Sequence, residues 1–397
     1  MASAGTARAS RWNRLDLDTL RAKLQRFLAE NPAGRPPRNA QSQLEWRQAW
    51  ARTKFEHGIA APAWPADWYG MALTLPQLVV YHEEMAAARA PGAPSPGAGM
   101  VGPAILQHGT DEQRKRFLPR LLRGEDVWCQ GFSEPGAGSD LPSLRTRAVR
   151  DGDVYVVTGQ KVWTTMATQS NWCFALVRTG STESRQRGIT YLLIDMSLPG
   201  VEVRPLRNMA GTYHFAELFF DEVRVPVDCR IGEDNDGWRV TRTTLGHERS
   251  TSAIGRDGIY RSVVADLIEL AAQNGKRDDP TVRQQLAELV IGARLVEWSG
   301  HRMLQRALQS GDVGPLSSTA RLFSTRYEQI LHEVAMGIIG PQAMLAPQEL
   351  DRHVGRWING FLMTRATTIG GGTSQIQLNT IAEQVLGLPH DPGMPER

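Results

Sequence analysis

The chain has 397 residues with 45 basic and 42 acidic side chains, a formal charge of +3, 41% hydrophobic and 22% charged residues, and 11 tryptophans. That length supplies roughly two to three cores of about 150 residues each, and the composition excludes a disordered chain. The charge excess is small and spread along the sequence, which argues against a nucleic-acid partner.

Only five of the basic residues are lysines (Lys23, Lys54, Lys115, Lys161, Lys276), a bias that reads as genome composition rather than chemistry. Cys129, Cys173 and Cys229 show no paired spacing, so neither a disulfide framework nor a zinc site is expected and a reducing cytoplasm fits. The uncharged stretch from Ala90 to Thr110 is broken by Pro91, Pro94, Pro96 and Pro103 and cannot be a membrane span. Arg8, Arg11 and Arg14 precede the first acid, Asp16, and read as a frayed basic arm more than as a transit peptide.

In chain order, Leu17, Leu20, Leu24 and Leu28 carry helical spacing, and the helical region runs to about Leu122 with a Pro-rich loop at Pro32 to Pro37. Asp111 and Glu112 sit where a helix start favours acids, with Arg116, Arg120 and Arg123 toward its end. From Asp126 to about Asp234 the pattern changes to β-rich runs at 154–157, 172–177 and 191–194, punctuated by Asp151-Gly152-Asp153 and Pro199-Gly200. No long helical run separates these strands, which disfavours a doubly wound parallel sheet. Helical spacing returns near 237–274, 280–310, 317–340 and 373–386, as expected for a bundle. The expectation is an α+β multi-domain chain: an N-terminal helical domain (1–125), a middle β domain (126–235) and a C-terminal helical bundle (236–397).

The segment Cys129-Gln130-Gly131-Phe132-Ser133-Glu134-Pro135-Gly136-Ala137-Gly138-Ser139-Asp140 combines glycines that allow close backbone approach with the hydroxyls of Ser133 and Ser139. By physics alone it reads first as a Gly-rich turn. SEPGAGSD, then Gly159-Gln160-Lys161-Val162-Trp163-Thr164-Thr165, then Gly371-Gly372-Thr373-Ser374-Gln375-Ile376-Gln377, stand in the order and spacing of the acyl-CoA dehydrogenase family. The chain resembles that family from about Leu15 to Pro389, most strongly in PGAGSD and TSQIQ. GHERS and IAEQVLGLP resemble its branch in bacterial degradation and biosynthesis of unusual acyl thioesters.

The resemblance implies a tightly bound FAD. Gln130, Phe132 and Ser133 would line the flavin edge. Gly138 and Ser139 would serve the pyrophosphate or the pantetheine end of the thioester. Trp163 would cover the ring and Thr165 would reach flavin N5, the hydride acceptor; the bland alternative for Trp163 is an ordinary core residue. Thr373 and Gln375, after three glycines, would receive the adenosine-phosphate end, and Arg283 would reach the pyrophosphate of a neighbouring subunit or serve as a plain exposed helix arginine.

The family's usual base is a glutamate where this chain has Gly371, and glycine takes no proton. Some members carry the base on the first helix after the β domain, where this chain reads Leu245-Gly246-His247-Glu248-Arg249. Glu248 therefore becomes the expected base, with small residues Thr251, Ser252 and Gly255 at helical spacing beside it. His247 and Arg249 would border the CoA end, and Gly371 and Gly372 the substrate. Read without the resemblance, Glu248 is a surface ion-pair residue.

The resulting expectation is α,β-dehydrogenation of an acyl thioester on CoA or an acyl carrier protein, with electrons passed to an electron-transferring flavoprotein by a cytoplasmic homodimer or homotetramer. The alternatives are an acyl-CoA oxidase, a non-catalytic partner subunit of a mixed oligomer, and a non-redox biosynthetic variant. An apolar face on 317–340 (Leu322, Ile330, Leu331, Val334, Ile338) is expected to lie between subunits.

Overall fold

Short polar side chains start four of the five N-terminal helices of the computed structural model, which describes residues 12–37, 39–253, 257–310 and 314–389. Side chains at 247–253, 257–259, 304, 307, 308, 310, 348 and 352 lie outside the described set, as do Arg8, Arg11 and Gly255. Asp16 caps α1 (Leu17–Glu30) by accepting from the Thr19 amide at 2.8 Å. Asn39 does the same for α2 (Ala40–Glu56). After α3 (Leu75–Ala87) and α4 (Val101–His108), Thr110 and Gln113 form a reciprocal capping box at the start of α5 (Asp111–Leu122). Leu20, Leu24 and Phe27 of α1 bury against Trp50, Ile59, Met71, Val80 and Tyr81.

Eight strands follow: β1 (Trp128–Gly131), β2 (Arg147–Asp151), β3 (Val154–Thr165), β4 (Trp172–Arg178), β5 (Ile189–Asp195), β6 (Val201–Leu206), β7 (Phe215–Pro226) and β8 (Arg230–Ile231). They form one mixed sheet in the order β6-β7-β3-β2-β4-β5-β8, with β1 pairing β4. The β2–β3 hairpin turns at Gly152, and β3 continues as the antiparallel partner of the equally long β7. Val101, Ile105, Phe117 and Leu118 of α4 and α5 share one core with Trp128, Phe174, Tyr191 and Leu193 of the sheet. Gln113 also donates from α5 to the carbonyls of Asp228 and Arg230, each at 2.7 Å.

These segments form one compact unit, comprising residues 1–208 and 213–248; residues 209–212 and 249–397 form a second. Helices α6 (Gly237–Ala253) and α7 (Asp257–Gln273) fall within the expected helical segment 237–274. The second unit continues with α8 (Pro280–Ser310), α9 (Leu316–Ile339), α10 (Arg352–Met363) and α11 (Ser374–Thr380), which runs on through a π turn at Ile381–Val385. Leu267, Leu270, Leu286, Leu289, Leu331, Ile338 and Trp357 build its core.

The apolar face expected on 317–340 to lie between subunits is therefore largely consumed inside the unit, with Leu331, Val334 and Ile338 buried. The exposed apolar residues cluster instead on α8, where Ile291 is 59% and Trp298 62% exposed. Among the described residues no helix is long and apolar enough to cross a membrane.

Candidate active site

Two of the sequence segments singled out by resemblance meet in the first unit. Beyond β1 the chain buries Phe132, edge-on to Phe174 and Tyr191 at 5.7 and 6.0 Å, and the Ser133 carbonyl accepts from the Val162 amide of β3 at 3.0 Å. Glu134 and Ala137 exchange backbone hydrogen bonds across Pro135-Gly136, making a tight turn. Gly136 and Gly138 face open space, and Gly138 and Ser139 are exposed. Gln130 is half-buried opposite Phe174 in the β1–β4 ladder.

The loop is closed at its base by charge. The Glu134 carboxylate accepts from the amides of Arg145 at 2.6 Å and Thr146 at 2.8 Å, and from Lys161 Nζ at 2.8 Å. Lys161 is fully buried and also donates to the Phe132 carbonyl at 3.2 Å. Arg178, also buried, donates to the carbonyls of Pro142 (2.5 Å), Leu144 (3.3 Å) and Arg185 (2.5 Å). Burial works against the Glu134 carboxylate, yet the Lys161 ammonium and the bonds from Thr146 and Arg145 outweigh it and hold the carboxyl below its ordinary value. Burial lowers Lys161, and Glu134 only partly offsets this.

In β3 the pairing with β7 shifts register between Lys161 and Thr164. Trp163 sits within this irregularity at φ +60°, the residue 62% exposed and its ring edge-on to Phe215 at 6.0 Å. A non-glycine residue in left-handed backbone is costly, of order 1–3 kcal/mol, and such outliers cluster at functional sites. Trp163 is thus no core tryptophan. Thr165 is half-buried opposite Phe215, and the buried Thr164 hydroxyl has no partner among the described residues.

In the second unit, Gly371 and Gly372 take φ of +66° and +95°, and Thr373 caps α11 by accepting from the Ile376 amide at 3.2 Å. Gln375 is exposed on the first turn, whereas Gln377 is buried and donates back to the Gly372 carbonyl at 3.4 Å. Arg321 of α9 holds the carbonyls of Thr367 and Gly370, and Gln329 holds that of Thr364. Arg283 is exposed on the first turn of α8.

The backbone of His247, Glu248 and Arg249 is helical, in α6; their side chains lie outside the described residues. Gln130, Phe132, Ser133, Gly138, Ser139, Trp163 and Thr165 thus belong to the first unit, and Arg283, Gly371, Gly372, Thr373 and Gln375 to the second. The sequence reading missed the buried charges Glu134, Lys161 and Arg178. The available signal was Glu134 inside the first segment and Lys161 inside the second; Arg178 lies in neither.

Known proteins similar to this chain agree on one family. The acyl-CoA dehydrogenase N-terminal, middle and C-terminal domains match residues 16–125, 129–223 and 235–386. The chain is 37% identical to acyl-CoA dehydrogenase IpdE1 of Mycobacterium tuberculosis, over 95% of this chain and 99% of that one. It is 40% identical to acyl-CoA dehydrogenase FadE34 of the same organism, over 84% of this chain and 45% of that one. Among solved structures, the ChsE4-ChsE5 complex from M. tuberculosis superposes with a TM-score of 0.80 at 30% identity, covering 94% of this chain and 98% of that one. The Tcur3481-Tcur3483 steroid ACAD gives 0.82 at 27% identity, with the same coverage.

Proposed function

The chain belongs to the acyl-CoA dehydrogenase family, and on that premise we propose that it binds FAD and removes the α- and β-hydrogens of an acyl thioester. The observation that carries the flavin reading is Trp163, an aromatic plane held out to solvent on left-handed backbone. The donor set fits the cofactor: an exposed ring, the Thr165 hydroxyl, and an open Gly136–Ser139 loop into which a phosphate can fit closely. When bound, FAD supplies the hydride acceptor.

In this reading Trp163 excludes water from one ring face, and Thr165 donates a hydrogen bond to the ring. Gln130, Phe132 and Ser133 line its edge, and Gly138 and Ser139 take the pyrophosphate or the pantetheine. Arg283, Thr373 and Gln375 take the adenosine end. Glu248 accepts the α-proton, with His247, Arg249, Gly371 and Gly372 on the substrate side. The domain limits 1–125, 126–235 and 236–397, a cytoplasmic setting, an electron-transferring flavoprotein as acceptor and self-association belong to the same proposal.

The purified protein reconstituted with FAD should be yellow at about one flavin per site, and an anaerobic screen of acyl thioesters should find one that bleaches it. A colourless reconstituted protein overturns the cofactor reading. Glu248→Gln should keep FAD and lose about 10²–10⁴-fold in turnover. Turnover near the wild-type rate removes Glu248 as the base. Oxygen consumption without an added acceptor would point to an oxidase.

A second reading, a subunit that completes a different partner's site, is favoured by Gly371 in the usual base position and by the two-chain composition of the ChsE4-ChsE5 complex. Activity that appears only on adding a second, non-identical chain would select it.

A further inference from the structure

The mechanism above leaves two buried cations, Lys161 and Arg178, without a role. Lys161 is fully buried, and its ammonium bonds two groups: the Glu134 carboxylate at 2.8 Å and the Phe132 carbonyl at 3.2 Å. Arg178 neutralises no carboxylate directly but lies within the field of Glu134. Two cations and one carboxylate are therefore sunk beneath the Ser133–Asp140 loop. That arrangement is expensive for stability alone, since a buried ion pair seldom outperforms an apolar replacement.

The Phe132 carbonyl shares its peptide unit with the Ser133 amide. The Phe132–Ser133 peptide is trans, so its N–H points opposite to the C=O and away from Lys161. Among the described residues the Ser133 amide forms no hydrogen bond, while the Ser133 carbonyl is fixed by Val162. A cation on the oxygen polarises the peptide and makes its N–H a stronger donor, as in any hydrogen-bonded chain in a low-dielectric interior.

We propose that Lys161 is a positioning residue for the flavin: through the Phe132–Ser133 peptide it strengthens the Ser133 amide as a donor to the ring edge, and through Glu134 it locks the base of the Gly136–Ser139 loop. A donor at the ring edge favours the reduced, more electron-rich flavin over the oxidised one. Lys161 thus tunes both affinity and redox poise without touching the cofactor. The inference rests on the flavin reading of the preceding subsection.

The test uses full-length protein stripped of FAD and titrated with it, together with the reduction potential of the bound flavin and the thermal midpoint of the apoprotein. In Lys161→Met with Glu134→Gln, the net charge of the buried group is unchanged and the carboxamide oxygen that replaces the carboxylate can still accept from the Thr146 amide. This double variant leaves the Arg145 amide without its acceptor, so the apo midpoint should fall by about the cost of that one bond, while FAD binds about tenfold more weakly and the flavin shifts toward the oxidised form by about tenfold, or about 30 mV for a two-electron couple.

Lys161→Gln with Glu134→Gln retains a neutral donor and should recover part of both losses; it carries the test alone if the methionine variant does not fold. FAD affinity and potential within twofold of wild type in the variant that folds overturn the proposal. So do losses that merely track a lowered apo midpoint. A wild-type protein that binds no FAD overturns instead the flavin reading, so the two failures are distinguishable.

Discussion

Tyr327 of α9 lies directly over Gly292 of α8: its hydroxyl donates to the Leu289 carbonyl at 2.7 Å, and a Cβ on Gly292 would fall 2.4 Å from its ring. The two helices approach this closely because position 292 has no side chain. Gly292→Ala should therefore destabilise the second unit by about 1–3 kcal/mol despite the better helix propensity of alanine. Urea unfolding checks it, and an unchanged or higher midpoint would mean the ring yields freely. Tyr327→Phe should cost about 1 kcal/mol through the lost bond.

Trp163 sets stability against function. Trp163→Gly removes a mostly exposed ring and relieves left-handed strain at φ +60°, worth about 1–2 kcal/mol for an L-residue. Glycine's greater freedom in the unfolded chain returns part of that gain. The variant apoprotein should be no less stable than wild type in denaturant while holding FAD at least tenfold more weakly. Undiminished FAD retention would remove Trp163 from the flavin site.

Gly371 makes the usual base position sterically particular. At φ +66° a residue with a Cβ pays about 1–2 kcal/mol, less for asparagine. Gly371→Ala and Gly371→Glu should both lower the unfolding midpoint, with Gly371→Asn between them and wild type. Equal midpoints for alanine and asparagine would show that backbone conformation is not what glycine serves there.

Four histidines make the fold acid-sensitive above the carboxylate range. His82 is lowered from 6.5 by burial and then by nearby Lys54, and His214 by burial. His108 is lowered by burial and Arg239, against Asp236, and His332 by burial and Arg365, against Glu328. Below pH 6.5 the unfolded chain takes up protons that the folded chain refuses, so stability is complete well above 6.5 and declines as pH falls toward the lowered values. Glu134, also lowered, adds a further loss below about 4.5. Thermal midpoints at pH 7.5, 6.5 and 5.5 should fall a little over the first step and more over the second; a second step no larger than the first would contradict the assignment.

Ile291, Leu295 and Trp298 share one exposed face of α8. If this face is where copies of the chain meet, Ile291→Glu with Trp298→Glu should shift light scattering toward the monomer while leaving circular dichroism intact. An unchanged mass with both glutamates in place would move the contact elsewhere.

The order of helices, strands and helices was legible because each element writes its own period: Leu17, Leu20 and Leu24 for α1, and the β-branched runs at 154–157 and 191–194 for the sheet. The Asp151–Asp153 turn and the acidic start of α5 were equally local signals. Helix α10 was not anticipated, since Arg352–Met363 lies among short 3₁₀ turns at Gly340–Met344, Pro347–Glu349 and Thr364–Ala366. The flavin segments were recognisable as strings, but not what joins them. Lys161 by composition reads as a solvated lysine, and only pairing with Glu134, 27 residues away in sequence, makes its complete burial tolerable. The left-handed turn at Trp163 likewise comes from the register shift between β3 and β7. Such features depend on which distant strand lies alongside, and no local period encodes that. The sequence determined the elements and the chemistry available to them; long-range strand pairing alone decided which charge was buried, which ring was exposed and which peptide faced outward.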